Sequence, residues 1–152
     1  MCLEALGFAI DRWEGATALA TDAAISERAL RFATIGEALF WASCLDEATA
    51  NLRDRPDREE SQLLDGLRYA RNRITHDLVQ TTVEHPDAVL PIRLPARLAH
   101  YRWQDADKIP PPERGLGSGD ARGRRSGYVA AWQGQHVDQT LQALLSHFQQ
   151  LQ

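Results

Sequence analysis

The sequence is poor in cysteine, lysine and long apolar runs. Only Cys2 and Cys44 are present among 152 residues, and no Cys-x-x-Cys pair occurs. A disulfide framework and a cysteine-based zinc site are thereby excluded. No apolar run exceeds six residues, as in Ala5–Ile10, far short of a membrane span. No basic region precedes that run and Asp11 follows it directly, which is not the pattern of a secretory signal. The expectation is a cytoplasmic protein with no membrane partner. Of 17 basic residues only Lys108 is a lysine. Arginine forks suit phosphate, but an alanine-rich, arginine-rich chain is also what a GC-rich genome encodes. A formal net charge of −4 excludes a chain-wide basic footprint and leaves room for a local one.

What is present is the profile of one globular domain: 43% apolar and 25% charged residues, in a length that buries its own core. Leu3, Leu6, Ile10 and Trp13 place a helix over 3–20. Phe32, Ile35, Leu39, Ala42, Leu45 and Leu52 place a longer one over 22–52, ended by Arg53–Pro56. Asp57 with Glu60 has the form of a capping box. It opens a second long helix, expected to reach Val83 and to pack on the first as an antiparallel hairpin. Six of the seven prolines fall in 86–112. Within that stretch Leu98–Trp103 alternates as a short strand, half of a hairpin. Five of the ten glycines lie in Gly115–Gly127, which reads as a flexible loop. Tyr128–Trp132 suits a helical turn, and Val137, Leu141, Leu144, Phe148 and Leu151 mark a last helix. The fold class is all-α: one domain over 1–152, with a proline- and glycine-rich insertion at about 86–127 that holds short β structure.

The chemistry concentrates in Tyr69–Leu78. On a wheel of roughly 100° per residue, Leu63, Leu64, Leu67, Ala70, Ile74 and Leu78 form a core stripe with Arg71 at its edge. Tyr69, Asn72, His76, Val79 and Val83 form a second seam. That seam asks for burial, against another part of the chain or against a second copy. Arginine, as at Arg71, supplies a fixed positive fork, and histidine, the type at His76, is the side chain suited to acid–base work near neutral pH. RNA cleavage by internal attack of the 2′-hydroxyl needs a base, an acid and a cation, and no metal. Arg71 and His76 lie about 140° apart on the wheel. A two-fold dimer through the seam brings two copies of each together.

Arg71-Asn72-Arg73-Ile74-Thr75-His76 resembles the arginine, polar residue, histidine motif of the HEPN superfamily. Gly36–Ala42 and Leu45-Asp46-Glu47 resemble the first core helix of bacterial HEPN-like proteins. The resemblance covers about 22–83. It implies a helical bundle that dimerises through its motif helices, with Tyr69, Asn72, His76, Val79 and Val83 at the interface. It implies a metal-independent endoribonuclease with Arg71, Asn72 and His76 at the catalytic site and no cofactor. RNA is then the substrate, and an antitoxin protein is a partner if the chain is a toxin of a toxin–antitoxin pair rather than a phage-defence toxin. The alternative is an inactive HEPN-like module that binds RNA or protein. One position departs from the pattern. Leu78 stands where antitoxin-modified members carry a tyrosine, so control by that modification is not implied. Arg73, Arg122, Arg124 and Arg125 are further candidates for RNA contact.

Other constellations are weaker. His85, His100, His136 and His147 show no metal-ligand spacing. Gly115–Gly119 lacks the lysine of a phosphate loop. Ser43 and Ser126 lack a nucleophile motif. The four tryptophans read as packing residues.

Overall fold

The computed structural model describes residues 1–18, 27–53, 56–77, 81–86, 99–110 and 118–151. Among these the chain is mostly helical, with five helices and one two-stranded sheet. The helices are α1 (Cys2–Ala18), α2 (Glu27–Thr49), α3 (Arg58–Asp77), α4 (Ser118–Ala131) and α5 (Val137–Gln150). The strands are β1 (Thr82–Pro86) and β2 (Ala99–Trp103). No helix among the described residues is long and apolar enough to cross a membrane.

Helix α1 buries Leu6, Ala9, Ile10 and Trp13 at helical spacing, and α2 buries Ile35, Ala38, Leu39, Ala42 and Leu45 against it. Arg12 on α1 donates to Glu37 on α2, with Nε at 2.9 Å from Oε2. The last predicted stripe residue of α2 falls elsewhere. Leu52 lies in a 3-10 turn, Ala50–Leu52, and is 63% exposed. A turn of three residues per repeat rotates it off the buried face.

Helix α3 starts where the cap was expected. Glu60 N donates to Asp57 Oδ1 at 2.8 Å. The Glu60 carboxylate turns instead toward α5, 3.6 Å from His147 Nε2. Leu64, Leu67, Ala70 and Ile74 are buried as the stripe predicts. Asp46 meets Arg68 and Gly36 faces Ile74. Residue numbers therefore run in opposite directions, and α2 and α3 form an antiparallel hairpin.

The far end of α3 differs from expectation. The described helix runs to Asp77, and Thr82–Pro86 is a strand paired antiparallel to β2, in register Thr82↔Trp103 to Pro86↔Ala99. Thr81, Thr82 and Val83 are β-branched, which favours a pleated strand over a helix once a partner strand is available. Leu78 and Val79 lie outside the described residues. Val83 belongs to β1, so it does not continue a helical seam with Tyr69 and Asn72.

The glycine-rich segment is the largest correction. From Ser118 it is helix α4 rather than a flexible loop, and Tyr128 lies in its last turn. Gly127 of this segment and Gly66 of α3 serve contact. A Cβ on Gly127 would collide with Asp65 of α3, and one on Gly66 would collide with the Trp132 ring. Gly127 lets α4 approach the α3 backbone, and Gly66 lets the Trp132 ring lie directly on α3. Trp132 Nε1 then donates to Leu63 O at 2.9 Å, and Tyr128 OH donates to Gln104 O at 2.7 Å.

The predicted insertion is core as well. Tyr101, Trp103, Ala106 and Ile109 join one hydrophobic cluster with α1, α2, α3, α4 and α5. Trp13, Trp103 and Trp132 are buried packing residues. Trp13 also donates to Asp138 on α5, with Nε1 2.6 Å from Oδ1. Gly134, at φ +73°, makes the left-handed turn that returns the chain from α4 to the edge of β2. There Gly134 N donates to Trp103 O at 2.9 Å, and Trp103 N donates to Gln135 O at 3.0 Å.

Candidate functional site

Residues 68, 71 and 72 lie three and four apart on α3, so their side chains share one face. The α2–α3 hairpin sets that face opposite Ser43, Asp46 and Glu47 of α2. Helix α4 closes the third side with Arg124. Together these residues and Ala50 line a cleft of about 390 Å³.

Asp46 organises the floor. It is 4% exposed and accepts from two arginines. Arg53 Nη2 lies 2.7 Å from its Oδ1. Arg68 Nε lies 2.8 Å from Oδ2, and Arg68 Nη2 lies 3.0 Å from Oδ1. Arg53 also donates to the Asp46 backbone carbonyl. Arg68 reaches Asp65 Oδ1 at 3.2 Å. Burial works against the Arg68 charge, but the bonds and charge of Asp46, with Asp65, outweigh it and hold its pKa above the ordinary arginine value. Two guanidinium groups thus answer the buried Asp46 carboxylate, and Asp65 balances the second of them.

Arg71 lies beside this pair. Its Nη1 approaches Asn72 Oδ1 at 3.3 Å. Its Nε is buried and has no hydrogen-bond partner among the described residues. A buried donor without a partner costs free energy that a ligand oxygen can relieve. Arg68, Arg71 and Arg124 face Asp46 and Glu47 across the cleft, so an anion entering it meets more positive than negative groups. Guanidinium forks of this kind take phosphate oxygens in pairs.

The structure brings together three of the residues singled out in the sequence: Arg71, Asn72 and Arg124. His76 occupies the last turn of α3, and its side chain lies outside the described residues. The helix is continuous through both positions, so the angular step from Arg71 to His76 stands, and Asn72 lies one turn before His76.

Other candidates fall elsewhere. Arg73 is 3% exposed and donates to Pro110 O, so it presents no surface to an RNA strand. Its place on the wheel, between stripe and seam, is covered by the chain that follows β2. Arg125 is bonded to Asp107, and Arg122 lies on the exposed side of α4. Tyr69 packs on Tyr128 of the same chain, ring centroids 4.8 Å apart. Burial raises its phenol above the usual value, against the charges of Arg73 and Arg125. Of the two partners open to the second seam, Tyr69 thus meets its own α4.

Sequence reasoning passes over Arg68 and Asp46. The step from Arg68 to Arg71 is visible on the wheel. The pairing of Asp46 with Arg68 is not, because it depends on how α2 and α3 slide past each other. Among the described residues no group of three or more His, Cys, Asp or Glu is placed to hold a metal ion. His100 and His136 stack with ring centroids 4.3 Å apart, and Arg102 Nε donates to His100 Nε2 at 2.9 Å. They join β2 to the start of α5.

No family model matches the chain, and no curated protein or solved structure matches it.

Proposed function

We propose that this chain is a metal-independent endoribonuclease of HEPN type that acts as a homodimer, in the role of a toxin or a phage-defence protein. One observation carries the reading: Arg71, its Nε buried and without a hydrogen-bond partner among the described residues, lies with Arg68, Arg124 and Asn72 in one cleft. Arg71 holds the scissile phosphate and offsets the charge of the phosphorane. Asn72 fixes the Arg71 fork. His76 moves a proton. One histidine takes the proton of the 2′-hydroxyl as its oxygen bonds to phosphorus. Another protonates the 5′-oxygen as the old P–O bond breaks, leaving a 2′,3′-cyclic phosphate. A protomer contributes one motif histidine, so a two-fold dimer supplies both roles. The cation is arginine, so no metal enters the scheme.

Purified protein incubated with total RNA in EDTA tests this. Cleavage by wild type, absent in His76→Ala and Arg71→Ala, is the expected result. Equal cleavage by wild type and both variants contradicts it. So does intact RNA with a folded wild-type dimer, which moves the weight to a binding module.

A further inference from the structure

A second cavity lies toward the opposite end of α2, lined by the first half of α2, the end of α3, Thr81 and the β1–β2 sheet. Its volume is about 280 Å³. Of the cleft-bearing helix α3, it shares only Ile74 among its lining residues.

The wall on α2 follows from spacing. Arg28, Arg31, Phe32 and Ile35 are three, four and seven residues apart, so they share one helix face. The two arginines stand toward the helix start and the two apolar side chains toward its middle. Ile35, Ile74 and Tyr101 are nearly fully buried and make an apolar floor. Arg31 is held in place from two sides. Its guanidinium carbon lies 4.7 Å from the Tyr101 ring centroid, and its Nη2 lies 3.9 Å from Glu84 Oε2. Two arginines against one glutamate leave the rim positive.

Thr81 gives the second observation. It lines the same cavity and is 1% exposed. Its hydroxyl has no hydrogen-bond partner among the described residues. Its backbone is pinned, because Gln104 N donates to Thr81 O at 2.7 Å. A buried hydroxyl left unbonded is costly, and native proteins seldom keep one without a role. A positive rim, an apolar floor and an unanswered hydroxyl are the parts of a small-molecule site.

Size narrows the ligand. A cavity of about 150 Å³ accepts benzene. The space here admits one ring with a charged head, and nothing much larger. We infer that this cavity binds a small organic anion, with a one-ring body on Phe32, Ile35, Ile74 and Tyr101 and a single carboxylate or phosphate head on Arg28, Arg31 and Thr81. This inference does not rest on the RNA reading and is tested by binding alone.

Calorimetric titration of the full chain with benzoate and with phenyl phosphate provides the test. Benzyl alcohol and inorganic phosphate serve as controls lacking the head and the ring. At least one of the two anions should saturate the protein about tenfold more tightly than either control, the worth of a charged hydrogen bond. The better of the two identifies the head. Arg31→Gln should weaken that ligand about tenfold or more. Arg28→Gln, at an exposed position, should weaken it without touching the Tyr101 contact. Thr81→Val should weaken binding while leaving the melting temperature of the free protein equal or higher, since it removes an unbonded hydroxyl. Three results overturn the inference: no saturation by either anion, a control that binds as tightly, or binding unchanged in all three variants.

Discussion

Asp46 is the residue on which the cleft depends. Its carboxylate answers Arg53 and Arg68 at once, and removing it leaves two guanidinium groups in a part-buried place. Loss of one partner of a buried ion pair costs about 3–5 kcal/mol. Asp46→Ala should therefore lower the free energy of unfolding in urea by about that amount, and Asp46→Asn by less. Arg71 behaves differently. Its Nε has no hydrogen-bond partner among the described residues, so Arg71→Ala should change stability by under about 1 kcal/mol. Equal losses for Asp46→Ala and Arg71→Ala would remove the division between a structural floor and a ligand-facing arginine. Legibility at this scale divides along the same line. Arg71 and Asn72 stand out by type and spacing on one helix. Asp46 does not, because its partners come from residue 53 and from another helix. Arg73 misleads because its identity suggests a surface cation, while its burial is set by Pro110 of a distant segment.

At the scale of elements, α1, α2, α5 and the core stripe of α3 are legible because each carries its own apolar period. The end of α3 and α4 before its last turn are not. Thr82–Pro86 becomes a strand only because Ala99–Trp103 is there to pair with it. At Gly127 of α4, glycine suggests freedom where it serves closeness. That difference is measurable. At Gly123 a Cβ would meet only open space, and the position sits inside a helix, where alanine is favoured by about 1 kcal/mol. Gly123→Ala should stabilise the protein by about 0.5–1 kcal/mol. Gly66→Ala should destabilise it by about 1–3 kcal/mol through overpacking against Trp132. Thermal or urea unfolding of the pair reads both signs. A stabilising Gly66→Ala would mean that α3 and α4 do not cross as closely as their contacts require.

At the scale of the whole molecule, two behaviours follow. The first is an alkaline limit. Burial pushes the Tyr128 phenol far above its usual value, with Tyr69 and Asp105 adding to the effect. In the unfolded chain a tyrosine ionises near pH 10. Above that the unfolded state gives up a proton that the folded state keeps. Folding stability is therefore whole below about pH 10 and falls as pH rises past it. Melting temperature followed from about pH 8 to about pH 11 should fall in the upper part of that range, and less steeply in Tyr128→Phe. An unchanged slope in that variant would remove Tyr128 as the cause. The second behaviour belongs to the proposed dimer. If two protomers build one site, mixing Arg71→Ala with His76→Ala chains should change activity as subunits exchange. If each protomer holds a complete site, the mixture should equal the sum of its parts.

The most direct measurement is the affinity of a labelled single-stranded RNA for the His76→Ala protein, which the proposed mechanism makes unable to cleave it, in EDTA, with and without Arg71→Ala added. With Arg71 in place, anisotropy should report saturable binding that weakens as salt rises, because phosphate contacts release counterions. Adding Arg71→Ala should weaken it about tenfold or more, as loss of a charged hydrogen-bonding group requires. Equal affinity in the two folded proteins would contradict the assignment of the Arg68–Arg71–Arg124 cleft as the RNA site.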